Sequence, residues 1–168
     1  ALGRGGLGFL KGEEWWASSR LLDEFSFLAV TPLYENFIDS NGNWNSLDWD
    51  NIEGIEPVWV INENDQRTQL VLEAHHDTYR FAVYWINSNG IPVFIFRHPI
   101  FSNLYPGDDR QTEQYGAFAR AYVELMKILD ISPRIVRLNE SQLFLVAKAI
   151  DNDIQYFKEQ GLRSNFAG

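Results

Sequence analysis

Cysteine is absent from this 168-residue chain, which excludes disulfides, thiolate metal sites and cysteine nucleophiles. Basic residues are scarce: 14 Lys and Arg stand against 23 Asp and Glu, a net charge of −9. A nucleic-acid binder neutralises phosphates with a basic stripe, and none is present. The same deficit disfavours binding to an anionic membrane surface. It leaves phosphate ligands open, because a few backbone N–H groups bind phosphate without net charge. Long apolar runs are missing too, and no stretch reaches the ~18 residues of a transmembrane helix. The opening residues Ala1-Leu2-Gly3-Arg4-Gly5-Gly6-Leu7-Gly8 lack the apolar stretch of a signal peptide and an initiator Met. A glycine-rich loop as first element predicts a chain cut from something longer. Internal repeats and low-complexity segments are also lacking.

What is there is a globular composition. Hydrophobic residues make up 45% and charged residues 22%, which separates the chain from disordered sequences. Six Trp and twelve Phe supply large buried area for a chain this small. The length fits one α/β domain over residues 1–168.

Local patterns predict the elements. After Gly8, Leu10, Ala17 and Leu21 share one helical face, with Glu13 and Glu14 in the first turn where the helix dipole favours acids. Ser26–Thr31 reads as a short buried strand before Pro32. Residues 34–56 form an irregular excursion around Ser40-Asn41-Gly42-Asn43, and Asn-Gly is a strong hairpin signal. Val58–Ile61, Gln69–Ala74, Arg80–Ile86 and Ile91–Phe96 are strand candidates, the last two joined by the turn Asn87-Ser88-Asn89-Gly90. Together they predict a mixed or antiparallel region. Gln111–Leu129 is the strongest helix, with Tyr115, Phe118, Tyr122 and Leu125 on a face expected to pack on a sheet. Asp109 is its expected cap, and Pro133 lies just beyond its end. Arg134–Leu138 reads as a central strand of that sheet, and a last helix follows from about Ser141. Strand–helix alternation in this half argues for α/β layering.

Several clusters carry candidate chemistry. Gly5, Gly6, Leu7 and Gly8 precede a helix, and glycines there let backbone N–H groups approach a phosphate. Asn139 followed by Gln142 is also a capping-box pattern, which explains both residues without any ligand. His75-His76-Asp77 suggests a metal, but neighbours on a strand point to opposite faces and do not converge on one ion. No nucleophile-elbow sequence accompanies these histidines. The carboxylates Asp48, Asp50, Glu53, Glu56, Asp108, Asp109 and Glu140 include no pair whose separation the sequence defines, as a glycosidase requires. Trp44, Trp49 and Trp59 read either as sugar-stacking platforms or as ordinary core aromatics.

Three segments in order resemble the N-terminal region of the α-glucan (glycogen/maltodextrin) phosphorylase family. Gly5-Gly6-Leu7-Gly8 is similar to its G-G-L-G loop. Gly90-Ile91-Pro92-Val93-Phe94-Ile95-Phe96, then Asn103-Leu104-Tyr105-Pro106-Gly107-Asp108 and a long helix, resemble its "vPvyLLD…N…LYgGD" stretch. Ile131 to Glu140, ending Leu138-Asn139-Glu140, resembles its "P-x-v-x-H-L-N-E-G-H" segment. The resemblance implies the Rossmann-like N-terminal half of a two-domain, B-type glycosyltransferase fold, with an antiparallel or mixed strand region. It implies glucosyl transfer from an α-1,4-glucan to phosphate, giving glucose 1-phosphate, in a cytoplasmic transferase of carbohydrate (glycogen) metabolism. It implies partners: a C-terminal domain missing from this chain, α-glucan and phosphate, with no nucleic acid and no membrane. A homo-oligomer is among the assemblies it allows. The family binds pyridoxal phosphate on a lysine of the C-terminal half, and nothing in these residues resembles that segment, so none is expected bound to this chain alone. Substrate and phosphate contacts are implied for Gly5, Gly6, Leu7, Gly8, Asn139 and Glu140.

The chain also departs from the family pattern. Gln142 stands where the family has its sugar-contacting histidine, and Arg137 where it has the preceding one. Glutamine still donates and accepts hydrogen bonds to a hydroxyl. The segment from Phe96 to Leu104 is shorter than the family's. The open readings are a phosphorylase-type glucosyltransferase, a non-catalytic descendant that binds carbohydrate or a partner chain, and an unrelated α/β enzyme.

Overall fold

A computed structural model describes residues 26–38, 41–74, 79–103, 108–138 and 143–153. They fall into two compact units, one within Ala1–Val71 and Ala82–Tyr105, the other within Leu72–Phe81 and Pro106–Gly168.

Strands follow from β-branched and aromatic runs between turn residues. They are β1 (Ala29–Pro32), β2 (Asn36–Ile38), β3 (Trp44–Ser46), β4 (Glu56–Pro57), β5 (Trp59–Ile61), β6 (Arg67–Gln69), β7 (Val71–Ala74), β8 (Tyr79–Ser88) and β9 (Ile91–Arg97). A five-stranded mixed sheet has the order β1-β9-β8-β4, with β7 also pairing β8. β1 runs parallel to β9, in register Ala29↔Val93 to Pro32↔Phe96. β8 and β9 form an antiparallel hairpin from Ala82↔Arg97 to Ser88↔Ile91. Its loop is the dipeptide Asn89-Gly90, with φ 53° and 86°. Both angles are positive, the condition of a type I′ turn, whose twist matches the flanking strands. The Asn87 side chain accepts the Gly90 N–H at 2.8 Å and closes the turn.

In the first unit, Leu33, Val93 and Ile95 form a buried cluster, against which Ala29, Leu47, Trp49, Ile55, Tyr84 and Ile86 pack. Trp49 meets Tyr84 edge to face at 4.8 Å between centroids. Two small antiparallel ribbons complete the unit, β2 with β3 and β5 with β6. The β5–β6 turn is held by Asn62, whose Oδ1 accepts the N–H groups of Asn64 and Gln66, each at 3.0 Å.

In the second unit, α1 (Asp108–Ile128) and α2 (Phe144–Asn152) pack on each other. The expected face of Tyr115, Phe118, Tyr122 and Leu125 is buried. Burial extends further round the helix to Ala117, Ala121, Val123 and Gln114, so α1 is a core helix rather than a one-sided surface helix. α1 ends in a complete Schellman motif. Ile131 N–H donates to Met126 O at 2.9 Å, Asp130 N–H donates to Lys127 O at 3.2 Å, and Asp130 takes φ 52°. The helix starts at Asp108, which puts Asp109 inside the first turn rather than at the cap.

Arg134–Leu138, expected as a central strand, forms no strand. Ile135 is 85% exposed. Its alternation is broken by Arg134 and Arg137. Strand formation also needs a partner edge, which composition cannot supply.

Candidate functional site

The hairpin β2–β3 builds an open polar cleft in the first unit. Asn36 pairs directly with Ser46, and Ile38 with Trp44. Side chains alternate along a strand, so Asn36, Ser46 and Trp44 share one face of the ribbon. Ser46 Oγ donates to Asn36 Oδ1 at 2.8 Å. On the other side of β2, Asn103 forms an isolated parallel bridge with Asn36. Asn36 Nδ2 donates to Asn103 Oδ1 at 3.0 Å, and Asn36 N–H donates to Ser102 O at 2.8 Å. The chain Ser46–Asn36–Asn103 thereby fixes three polar side chains in one row. The cleft measures about 410 Å³ and is lined by Asn36, Trp44, Asn45, Ser46 and Asn103. That lies within the roughly 300–1,000 Å³ of small-molecule sites. None of the described lining residues is charged, and Trp44 stands 58% exposed.

The base of the cleft is anchored to the sheet. Arg97, at the end of β9, pairs with Glu35 at 3.6 Å and lies over the Trp49 ring at 5.0 Å. Leu47 N–H donates to Glu35 O and closes the hairpin. Beyond β9, His98 Nδ1 accepts the Ile100 N–H at 3.0 Å and caps the short helix Pro99–Phe101, which leads to Ser102 and Asn103. Burial holds the His98 pKa below its ordinary 6.5, which favours the neutral ring, and the Ile100 N–H selects the tautomer whose Nδ1 accepts.

Residues named from the sequence fare unevenly. Gly5, Gly6, Leu7, Gly8, Asn139, Glu140 and Gln142 lie outside the described residues, as do His75, His76 and Asp77. Trp49 is partly buried and packs against the core cluster. Trp59 is half exposed, with the Arg67 guanidinium over its ring at 4.8 Å. Trp44 and Asn103, from separate segments, come together in the cleft. Asn36 and Ser46 were not singled out: the Asn41-Gly42 turn signal predicts a hairpin but as a two-residue turn would set its register one residue off the observed Asn36↔Ser46 pairing. Among the described residues no group of three His, Cys, Asp or Glu side chains is placed to hold a metal.

The described lysines do not fit pyridoxal phosphate. Burial alone would lower the Lys127 pKa. Its hydrogen bond to Asp153 and the charges of Glu124 and Asp153 outweigh that and raise it. An imine-forming amine needs the opposite shift. Lys148 is exposed on α2. Tyr122 is likewise unsuited to proton transfer near neutrality, since burial pushes it up to about 12. No described helix is long and apolar enough to cross a membrane. Compared with protein-family models, curated proteins and solved structures, the chain matches none.

Proposed function

We propose that this chain contributes the N-terminal, glucan-facing part of an α-1,4-glucan phosphorylase-type glucosyltransferase. The reaction moves a glucosyl unit from the non-reducing end of the glucan to phosphate. The bond from the anomeric carbon to the glycosidic oxygen breaks, a bond to a phosphate oxygen forms, and the shortened glucan leaves with the proton. The observation that carries the reading is the order of three family-like segments along the chain. It is supported by the elements around them: a strand at Ile91–Arg97, a long helix from Asp108 and a further helix at Phe144–Asn152. On this reading Gly5–Gly8 offers backbone N–H groups to phosphate, and Asn139, Glu140 and Gln142 face the sugar. No step is assigned to pyridoxal phosphate, whose lysine lies outside these residues on this reading.

A second reading, a non-catalytic carbohydrate-binding descendant, is favoured by Gln142 in place of the family's histidine. Glutamine binds a hydroxyl but does not titrate, so it supports recognition without acid–base chemistry. The test measures glucose 1-phosphate from maltoheptaose, phosphate and pyridoxal phosphate. It is run on the 168-residue chain and on the product of the full gene. Release by the full product and none by the chain alone is expected. No release from either overturns transfer in favour of binding, and release by the chain alone overturns the site assignment.

A further inference from the structure

The chain contains two Asn-Gly dipeptides, Asn41-Gly42 and Asn89-Gly90. Both share a chemical liability. Glycine has no Cβ, so its backbone nitrogen is open to the side-chain carbonyl carbon of the asparagine before it. Attack closes a cyclic imide and expels ammonia. By sequence the two sites are equivalent, and both are exposed between the strands of a hairpin. Tertiary structure separates them. In the β8–β9 turn the nucleophile is engaged, because the Gly90 N–H donates to Asn87 Oδ1 at 2.8 Å. Asn89 is set at φ 53° and Gly90 at φ 86°, directly between the paired residues Ser88 and Ile91. Bringing the Gly90 nitrogen onto Asn89 Cγ breaks that hydrogen bond and rotates a peptide group that the ladder fixes on both sides. Asn41-Gly42 instead lies within the longer connection 39–43 between Ile38 and Trp44. Among the described residues, and apart from its two chain neighbours, no atom comes within 4 Å of where a Cβ would stand at Gly42. The strand that follows, β3, is exposed along its whole length, so little packing resists local opening.

We propose that Asn41 is a self-modification site at which water replaces the side-chain amide, while Asn89, in the same dipeptide, is protected by its turn. In the first step the Gly42 nitrogen gives its proton to solvent base and bonds to Asn41 Cγ. The Cγ–Nδ2 bond breaks, and ammonia leaves with a proton returned by solvent. In the second step water opens the imide. Cleavage of the new Cγ–N bond gives aspartate, and cleavage of the original peptide C–N bond gives isoaspartate. No oxidant or reductant takes part, and either product adds one negative charge to the −9 of the chain. The isoaspartyl product routes the backbone through Cβ and Cγ, which lengthens the connection by one carbon. The hairpin registers that change. Leu47 N–H donates to Glu35 O, and bonded pairs alternate in an antiparallel ladder, so Phe37 and Asn45 are the next bonded pair towards the turn. The site depends on the turn alone and holds under either reading of the function above.

The experiment holds the 168-residue chain in mildly alkaline buffer at physiological temperature, digests it, and follows both dipeptides by mass spectrometry and isoaspartyl methyltransferase labelling. Synthetic peptides spanning each dipeptide set the unhindered rates. Asn41 is expected to convert close to the rate of its peptide. Asn89 is expected to lag its own peptide about tenfold or more, since its turn must first open. Asn41→Gln, whose longer side chain closes a larger ring slowly, and Gly42→Ala should each abolish product at the first site. Thermal melts check folding, and Asn41→Gln serves where Gly42→Ala, strained at φ 83°, does not fold. Asn87→Ala frees the Gly90 N–H and should speed conversion of Asn89; no rise overturns the protection assigned to that hydrogen bond. The isoaspartyl form, separated by its added charge, should exchange the Phe37 and Asn45 amides faster, and unchanged protection overturns the effect on the hairpin. Conversion of Asn89 as fast as Asn41, or conversion of Asn41 about tenfold or more below its peptide, overturns the site itself.

Discussion

Single residues show where the chain accepts local cost. Asp130 takes a left-handed conformation, φ 52°, to close the Schellman motif after α1. Glycine does this without Cβ strain, and an acid at a helix C-terminus opposes the dipole. Asp130→Gly is therefore expected to stabilise the protein by about 0.5–1 kcal/mol, read as a higher urea midpoint at unchanged slope. A lower midpoint would show that the Asp130 side chain makes a compensating contact. His98 caps its helix only as the neutral base, and burial lowers its pKa. A histidine with a lowered folded pKa takes up its proton more readily when unfolded. Its contribution is thus fully present above its ordinary 6.5 and is lost as pH falls below that value towards the folded pKa. His98→Asn keeps an acceptor that does not titrate. The variant should lose less melting temperature than the wild type between about pH 7.5 and 5.5. Equal losses would remove His98 from the pH response.

Elements differ in how openly the sequence announces them. The β8–β9 hairpin is legible because Asn89-Gly90 alone satisfies the two positive φ angles of its turn. Gly90→Ala puts a Cβ at φ 86° and is expected to cost about 1 kcal/mol or more, with faster amide exchange first at Ser88 and Ile91. Protection unchanged at both would place the strain elsewhere. α1 is legible from its spacing of three and four, although its burial on more than one side was not. Of the β5–β6 ribbon only β5 was read as a strand, and the expected strand Gln69–Ala74 falls on β7, because the Asn62 side chain, rather than a glycine, organises the β5–β6 turn. Arg134–Leu138 looked like a strand by composition and is not one. Composition gave it extended propensity but could not give it a partner strand.

At the scale of the molecule, buried and exposed aromatics contribute unequally to stability. Phe96 is completely buried, whereas Trp44 stands mostly in solvent. Phe96→Ala should cost about 3–5 kcal/mol, a large share of a typical domain's stability. Trp44→Ala should stay within about 0.5 kcal/mol in the same denaturation experiment. A large loss for Trp44→Ala would make that ring a structural support.

What the sequence determined by itself is what a few neighbouring residues encode: the turns at Asn41-Gly42 and Asn89-Gly90, the periodic faces of α1 and α2, and the exclusion of thiol chemistry. Tertiary structure alone decided the rest. It set β1 beside β9, although more than half the first unit's chain lies between them, and kept Arg134–Leu138 out of the sheet. It also brought Asn103 to Asn36 across a separation of 67 residues, which turned a motif residue and an exposed tryptophan into one cleft. The physical reason is the same in each case. A backbone edge accepts any extended segment that reaches it, so the pairing depends on which loops close and which apolar faces are buried together.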